Sequence, residues 1–218
     1  MINTIRTIKT DRMDITIDFD NQVIFVQQKW KYTWTTDPSL SSWTYAEKKK
    51  FHDTADNLLW QQWSDKFNLK LTGSSKMVSK FNTKLFTVNF DIKWVTANAH
   101  WDVKVKKIKS GHFETSSVHW TSKTIKLDTE DLKAVKRTRG TKTYKQHPIS
   151  HEFGHAIGNT SHISGMHADE YKTSSAFKID LLSRMNVGNQ LRKRHGDYLV
   201  SELNKVIPNA KFVVNGIN

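Results

Sequence analysis

The run "HPISHEFGHAIG", His147 to Gly158, constrains this chain more than any other stretch. On a helix, residues four apart share a face, about 6 Å apart along the axis. His151 and His155 therefore aim ring nitrogens at one point, with Glu152 projecting beside them. The opposite face carries Ile149, Phe153, Ala156 and Ile157, the apolar residues that let such a helix bury one side. Pro148 suits the first helical turn, and Gly158 suits the left-handed position that ends a helix. The pattern predicts a helix of barely three turns, buried behind and presenting two imidazoles and a carboxylate in front.

Those residue types at that spacing, H-E-x-x-H, are those of a metal site that activates water. Two histidines and a third protein ligand leave one position on a zinc ion for water, and the adjacent carboxylate serves as general base. Cysteine is absent, so any zinc here is held by histidine and carboxylate.

At 218 residues the chain suits one domain, expected over 1–218, with enough length to bury a core without staples. "RMDITIDFD" and "QVIFVQQKWKYTW" alternate about a "DN" turn and read as an opening hairpin. Thr44 precedes Glu47 by three residues, a capping-box spacing, and Phe51, Ala55, Leu58, Leu59, Trp63 and Phe67 follow at helical intervals. "LFTVNFDIKW" and "HWDVKVKKI" alternate as strands with one buried face, and a further strand is expected in "SVHWTSKTIKLD". "DYLVSELNKVI" puts Leu199, Leu203 and Val206 on one stripe, a last helix stopping at Pro208. The expected class is α+β, a twisted mixed sheet backed by a long helix.

The motif run resembles that of the metzincin zinc peptidases, H-E-x-x-H-x-x-G-x-x-H or the same with Asp last, followed by a Met-turn. His151, Glu152, His155 and Gly158 match position for position. The third-ligand position holds Ser161, with His162 one place further on; a one-residue insertion in the turn brings His162 to the metal. "ADEY", Ala168 to Tyr171, is similar to the Asp-Glu-Tyr of some bacterial and toxin-associated metzincin-like peptidases, which makes Asp169 the alternative third ligand. His167 lies in the loop between. "SRMNVG" looks like a Met-turn carrying Met185, and "NVGNQLRKRH" is similar to the same bacterial peptidases, with His195 or Arg194 then lining the cleft and touching substrate.

The resemblance implies an upper subdomain over about 1–158 and a smaller lower one over about 159–218, with the Met-turn and terminal helix in the latter. It implies a zinc-dependent endopeptidase acting on protein or peptide, with Glu152 as base, of bacterial or phage origin as an effector or toxin domain. It also implies that the lowest strand pairs antiparallel with a bound peptide; "SSVHWTSKTIKLD" is the candidate, with His119 or Trp120 in reach of substrate.

The formal charge is +13, with dense basic stretches at "KVKKIK", "KAVKRTRGTKTYK" and "LRKRH". Scattered lysines read as a solvated surface; a basic binding module for nucleic acid or an acidic partner, with a structural or vestigial metal site, is the competing expectation. Glu152 separates the two, because a structural site has no use for a base beside its ligands. No apolar run reaches signal-peptide or transmembrane length, so no membrane insertion is expected, and an exported chain would use a leaderless route or be a domain cut from a longer protein.

Overall fold

The computed structural model describes residues 4–218; the first three residues of the expected domain lie outside them. The chain is a mixed α+β fold. Strands β1 (Ile5–Lys9), β2 (Asp14–Asp18) and β3 (Val23–Thr36) come first, then the long helix α1 (Tyr45–Trp63). β4 (Phe67–Gly73), the short helix α2 (Lys76–Phe81), β5 (Leu85–Trp94), β6 (Trp101–Lys107), β7 (Ser117–His119) and β8 (Thr124–Asp128) follow. A hairpin of β9 (Val135–Arg139) and β10 (Lys142–Gln146) leads into α3 (Pro148–Ala156). After a long irregular stretch, a 3-10 turn (Lys193–Gly196), α4 (Asp197–Leu203) and β11 (Ala210–Ile217) close the chain.

The main sheet runs β11-β4-β5-β3-β6-β8-β7, with β2 and β1 attached at β3. It is mixed: β3 pairs parallel with β5 and β6, and β6 with β8, whereas β4–β5, β11–β4 and β7–β8 are antiparallel. The expected opening hairpin is β2–β3, joined antiparallel from Asp14↔Gln27 to Asp18↔Val23. β3 is long because one side serves two partners in turn, β2 over its first half and β6 over its second.

α1 begins where its sequence says. The Thr44 hydroxyl accepts from Glu47 N, and the Glu47 carboxylate accepts from Thr44 N at 2.8 Å. Phe51, Ala55, Leu59 and Trp63 bury one stripe against the sheet. The helix ends four residues before Phe67, which opens β4 instead; the hydroxyl of Ser64, the C-cap, is taken by β5, accepting from Phe90 N at 2.7 Å and donating to Phe90 O at 3.1 Å.

Two polar ties lock α3 to this frame. The indole N–H of Trp63 donates to Ser150 O and Oγ. From the sheet, the fully buried Gln28 in β3 donates to Ala156 O at 2.8 Å, satisfying a carbonyl in the last turn of α3.

The C-terminal expectations need correction in two places. The helix expected to run to Pro208 ends at Leu203, because the Asn204 side chain clamps Phe212, accepting from its N–H at 2.6 Å and donating to its carbonyl. Nor is that helix terminal: β11 follows it and pairs antiparallel with β4 from Ala210↔Gly73 to Ile217↔Phe67. The division at 158/159 therefore fails as a clean boundary, since the chain's end returns to the upper sheet and Leu199, Leu203 and Phe212 join the same apolar core as Phe86 and Phe90. Among the described residues, no helix is long and apolar enough to cross a membrane.

Candidate metal centre

The helix α3 presents what its spacing predicts. The Nε2 atoms of His151 and His155 face each other at 3.2 Å. Each ring is oriented from behind by a backbone carbonyl: His151 Nδ1 donates to Arg184 O at 2.8 Å, and His155 Nδ1 to Asn159 O at 2.6 Å. Because a carbonyl only accepts, both protons sit on Nδ1, and both Nε2 lone pairs point at the same place. Two imidazole nitrogens opposed this closely fit a cation between them.

Asp169 completes the group. Its Oδ1 lies 3.0 Å from His155 Nε2 and 3.7 Å from His151 Nε2, and its Oδ2 pairs with Lys172 at 2.7 Å. One ligand atom from each of His151, His155 and Asp169 falls within 4.8 Å of the others. Burial opposes ionisation of Asp169, but the polar surroundings supplied by His151, His155 and the Lys172 ammonium outweigh it and hold the carboxyl far below its usual range. Burial likewise pushes His155 down, while Asp169, Glu152 and the Asn159 carbonyl pull it up, leaving it raised.

The other two histidines of the loop lie outside this group. His162 is exposed, its backbone N–H held by Thr160 Oγ1. His167 turns toward Asp197 at 3.5 Å and packs edge-on against Phe177.

Gly158 does what its type suggests. Its φ of +110° reverses the chain, and a Cβ there would meet the Tyr198 ring at 2.3 Å. Met185 is fully buried beneath α3, so close that a Cβ on Gly154 would lie 2.4 Å from its sulfur. The Met185 carbonyl accepts from Glu170 N, which ties the loop below the helix to the Asp169 strip.

Each residue of Asp169-Glu170-Tyr171 has a separate job. Glu170 points inward and is almost completely buried; Arg194 clamps it through Nε at 2.6 Å and Nη2 at 2.8 Å. Burial would raise this carboxyl, yet Arg194, His195 and Ser183 bring it down to about 2. Tyr171 stacks on His151 with ring centroids 6.1 Å apart. Burial and the negative Asp169 and Glu152 raise its phenol well above the ordinary value, so it keeps its proton.

The reading of His195 and Arg194 as substrate contacts is corrected by this arrangement. His195 is buried, accepting from Arg192 N at Nδ1 and sharing a hydrogen bond with Ser183 Oγ at Nε2. Arg194 spends its guanidinium on Glu170 and Asp180 and lies over the Phe177 ring. Both hold the loop together from inside.

Sequence reasoning missed Gln146. Its buried Nε2 donates to the carbonyls of Arg184, Asn186 and Gly188, at 2.8, 2.9 and 3.0 Å, pinning the whole Met185 loop to the start of α3. It also missed Asp131, buried behind the cleft. The Asp131 carbonyl accepts from Ile149 N, and its carboxylate accepts from Ser116 Oγ at 2.6 Å and Asp128 N at 2.7 Å. Burial pushes this carboxyl up to about 7.

An open cleft crosses the group. One hollow, on the His151 side, is bounded by Arg137, Arg139, Gln146, Tyr171 and Val187; the other, on the His155 side, by Val118, Trp120, His162 and Lys172. Glu152, Thr115, Ser116 and Tyr171 border both. Along the back runs β7, bonded to β8 on one side only and so an edge strand. Trp120 forms part of the wall, wedged between Trp101, Tyr198 and Arg12, whereas His119 is exposed and bonds Ser117. Comparison with known protein families, curated proteins and solved structures finds no match to this chain.

Proposed function

We propose that this chain is a zinc-dependent peptidase of metzincin-like organisation, with His151, His155 and Asp169 as the metal ligands. The observation that carries the reading is the pair of Nε2 lone pairs fixed by carbonyls behind and joined in front by an ionised carboxylate. A structural site closes with four protein ligands; three with an open cleft in front leave room for a reactant. Asp169 takes the third place rather than His162, because only the aspartate lies with the two imidazoles.

A bound zinc ion supplies a Lewis acid that lowers the pKa of coordinated water to about 7. The chain's own residues do the rest. Glu152 borders both hollows beside the two histidines, where its carboxylate takes a proton from water and delivers it to the leaving amine. Tyr171, protonated and on the rim of both hollows, donates to the oxyanion that develops on the scissile carbonyl. The free edge of Ser117–His119 offers main-chain groups to an extended peptide, which positions the bond over Glu152. Gln146, Arg184 and Glu170 hold the ligands in register from behind.

The test is zinc content measured alongside cleavage of a peptide library. The wild-type chain carries one zinc and cleaves; Glu152→Gln keeps the metal and loses at least about a hundredfold in rate, the usual worth of a positioned base. Asp169→Ala loses zinc while His162→Ala retains it. An active Glu152→Gln, or full zinc in Asp169→Ala, overturns the assignment.

A further inference from the structure

The segment "KAVKRTRGTKTYK", Lys133 to Lys145, holds six cationic side chains and no acid. It folds as the β9–β10 hairpin, paired from Val135↔Gln146 to Arg139↔Lys142 with Gly140 at φ +57° in the turn. Alternation sorts its charges onto two faces. Lys136 and Lys145 are partners on one face and exposed; Arg137, Arg139 and Lys142 share the other with Val135, Tyr144 and Gln146. The second face is the one that borders the cleft, since Arg137, Arg139 and Gln146 bound the hollow that also contains His151 and Glu152.

These cations are unspent. Among the described residues Lys133 pairs with Glu130, but no carboxylate pairs with Arg137, Arg139 or Lys142. Among the described residues, the only acid bordering that hollow is Glu152. Elsewhere this protein neutralises arginines near the site, with Arg192 and Arg194 both paired to Asp180. The hairpin is anchored as well, because Gln146 at its base is bound to three carbonyls of the Met185 loop. Two guanidinium forks, each able to grip a carboxylate bidentately, are thus held beside the reaction point without counter-ions. The His155-side hollow is different: no arginine borders it, and its Lys172 is taken by Asp169.

We infer that Arg137 and Arg139 determine specificity, selecting peptides that carry aspartate or glutamate within a few residues of the scissile bond on one side of it. The inference rests on the peptidase reading. It favours a peptide over a nucleic acid because the arginines border a hollow that shares Thr115, Ser116, Glu152 and Tyr171 with the hollow along the free Ser117–Val118 strand edge, and that edge pairs with an extended backbone.

Two measurements test it. In cleavage of a degenerate peptide library, the wild-type chain enriches acidic residues on one side of the cut only. The double variant Arg137→Glu/Arg139→Glu lowers the ratio of cleavage of a Glu-bearing peptide to its Lys-bearing counterpart by about tenfold or more, mainly through KM. Lys136→Glu/Lys145→Glu, on the outward face, leaves the ratio unchanged. Separately, fluorescence anisotropy with Glu152→Gln and a labelled Glu-rich peptide reads binding without turnover. Binding that weakens with salt and disappears with the double variant supports the acidic preference of the two arginines even if no peptide is cleaved, in which case the peptidase reading falls and, with it, the placement about a scissile bond. Cleavage without acidic preference, or a double variant with an unaltered ratio, overturns the inference and leaves the peptidase reading intact. An oligonucleotide that displaces the peptide and binds more tightly through the same arginines also overturns it.

Discussion

The sheet with α1 and the irregular run from Asn159 to Arg192 are built on opposite principles. In the first, alternate residues of β2, β3, β5 and β6 bury Ile15, Ile17, Ile24, Val26, Val88, Phe90, Val103 and Val105 against Phe51, Leu59 and Trp63. In the second there is no helix or strand, only an isolated bridge between Ser183 and Gln190. That run is knitted by Arg194 and Arg192 on Glu170 and Asp180, by Gln146 on three carbonyls, and by the buried Arg184 on Gln62 and Asn189. Apolar burial is non-directional and spreads over many neighbours. A polar knit is directional, and each member left without its partner costs the desolvation of the survivor. The region that supplies Asp169 is therefore the one that single substitutions damage most.

Arg194→Met is the sharpest way to break this contrast. It leaves Glu170 buried and ionised without its clamp, a loss of about 3–5 kcal/mol for a broken buried pair. The expected result is local: amide exchange rises from Asn159 to Arg192 and zinc affinity falls with the displacement of Asp169, while protection of β3 and β5 persists. Uniform loss of protection would mean that the two regions are one cooperative unit. Arg194→Met/Glu170→Leu, which removes both charges, recovers most of the stability.

The same contrast explains what the sequence made legible. Strands β2, β3, β5 and β6 announce themselves because period-two alternation is what a half-buried sheet requires, and α1 because its apolar stripe coincides with a capping box. β4 was masked: Phe67 continues the α1 stripe as well as it opens "FNLKLTG", and only Ser64 meeting Phe90 decides between them. β11 lies beyond a proline, and its alternation of Ala210 and Phe212 is too short to outweigh the stop signal. At the site, His151, Glu152 and His155 are legible because one helical turn fixes their geometry. The third member of the proposed metal group is not, since choosing among His162, His167 and Asp169 depends on how the loop closes. That closure is set by Glu170, Arg194 and Gln146, whose partners lie more than 20 residues away.

Acid provides a second, gentler way to separate the regions. Burial pushes His195 from its ordinary 6.5 down to about 4. The folded chain thus binds fewer protons there than the unfolded one, so its contribution is fully present above about 6.5 and is lost as pH falls through 4. Asp180, brought from 3.8 to about 2 by Arg192 and Arg194, has the same sign over a lower window. Asp131, behind the upper part of the cleft, has the opposite sign: burial raises it from 3.8 to about 7, so its contribution is present below 3.8 and is lost as pH rises through 7. Urea midpoints of the metal-free chain should fall between pH 6.5 and 4, less steeply in His195→Gln. Asp131→Asn should gain stability relative to wild type as pH rises toward 8. A His195→Gln profile parallel to wild type would place the acid sensitivity elsewhere.

Thr44→Ala is the smallest perturbation, and it tests whether the sheet half tolerates loss of a polar contact that the loop half would not. Thr44 and Glu47 satisfy each other's backbone N–H groups at the solvent-exposed start of α1. Removing the hydroxyl frees one N–H, but water reaches it, so no buried group is stranded. The cost expected for a lost cap is about 1 kcal/mol. Glu47 also holds Lys107 at 2.7 Å, a contact that survives the substitution and limits fraying to the first turn. Because Phe51, Ala55, Leu59 and Trp63 remain in place, the Trp63 bond to Ser150 and hence the seat of α3 are undisturbed. The urea midpoint should drop slightly with zinc content and turnover unchanged. A loss of zinc in Thr44→Ala would show that α1 transmits strain to α3 along its whole length, and that the sheet half is less redundant than its packing implies.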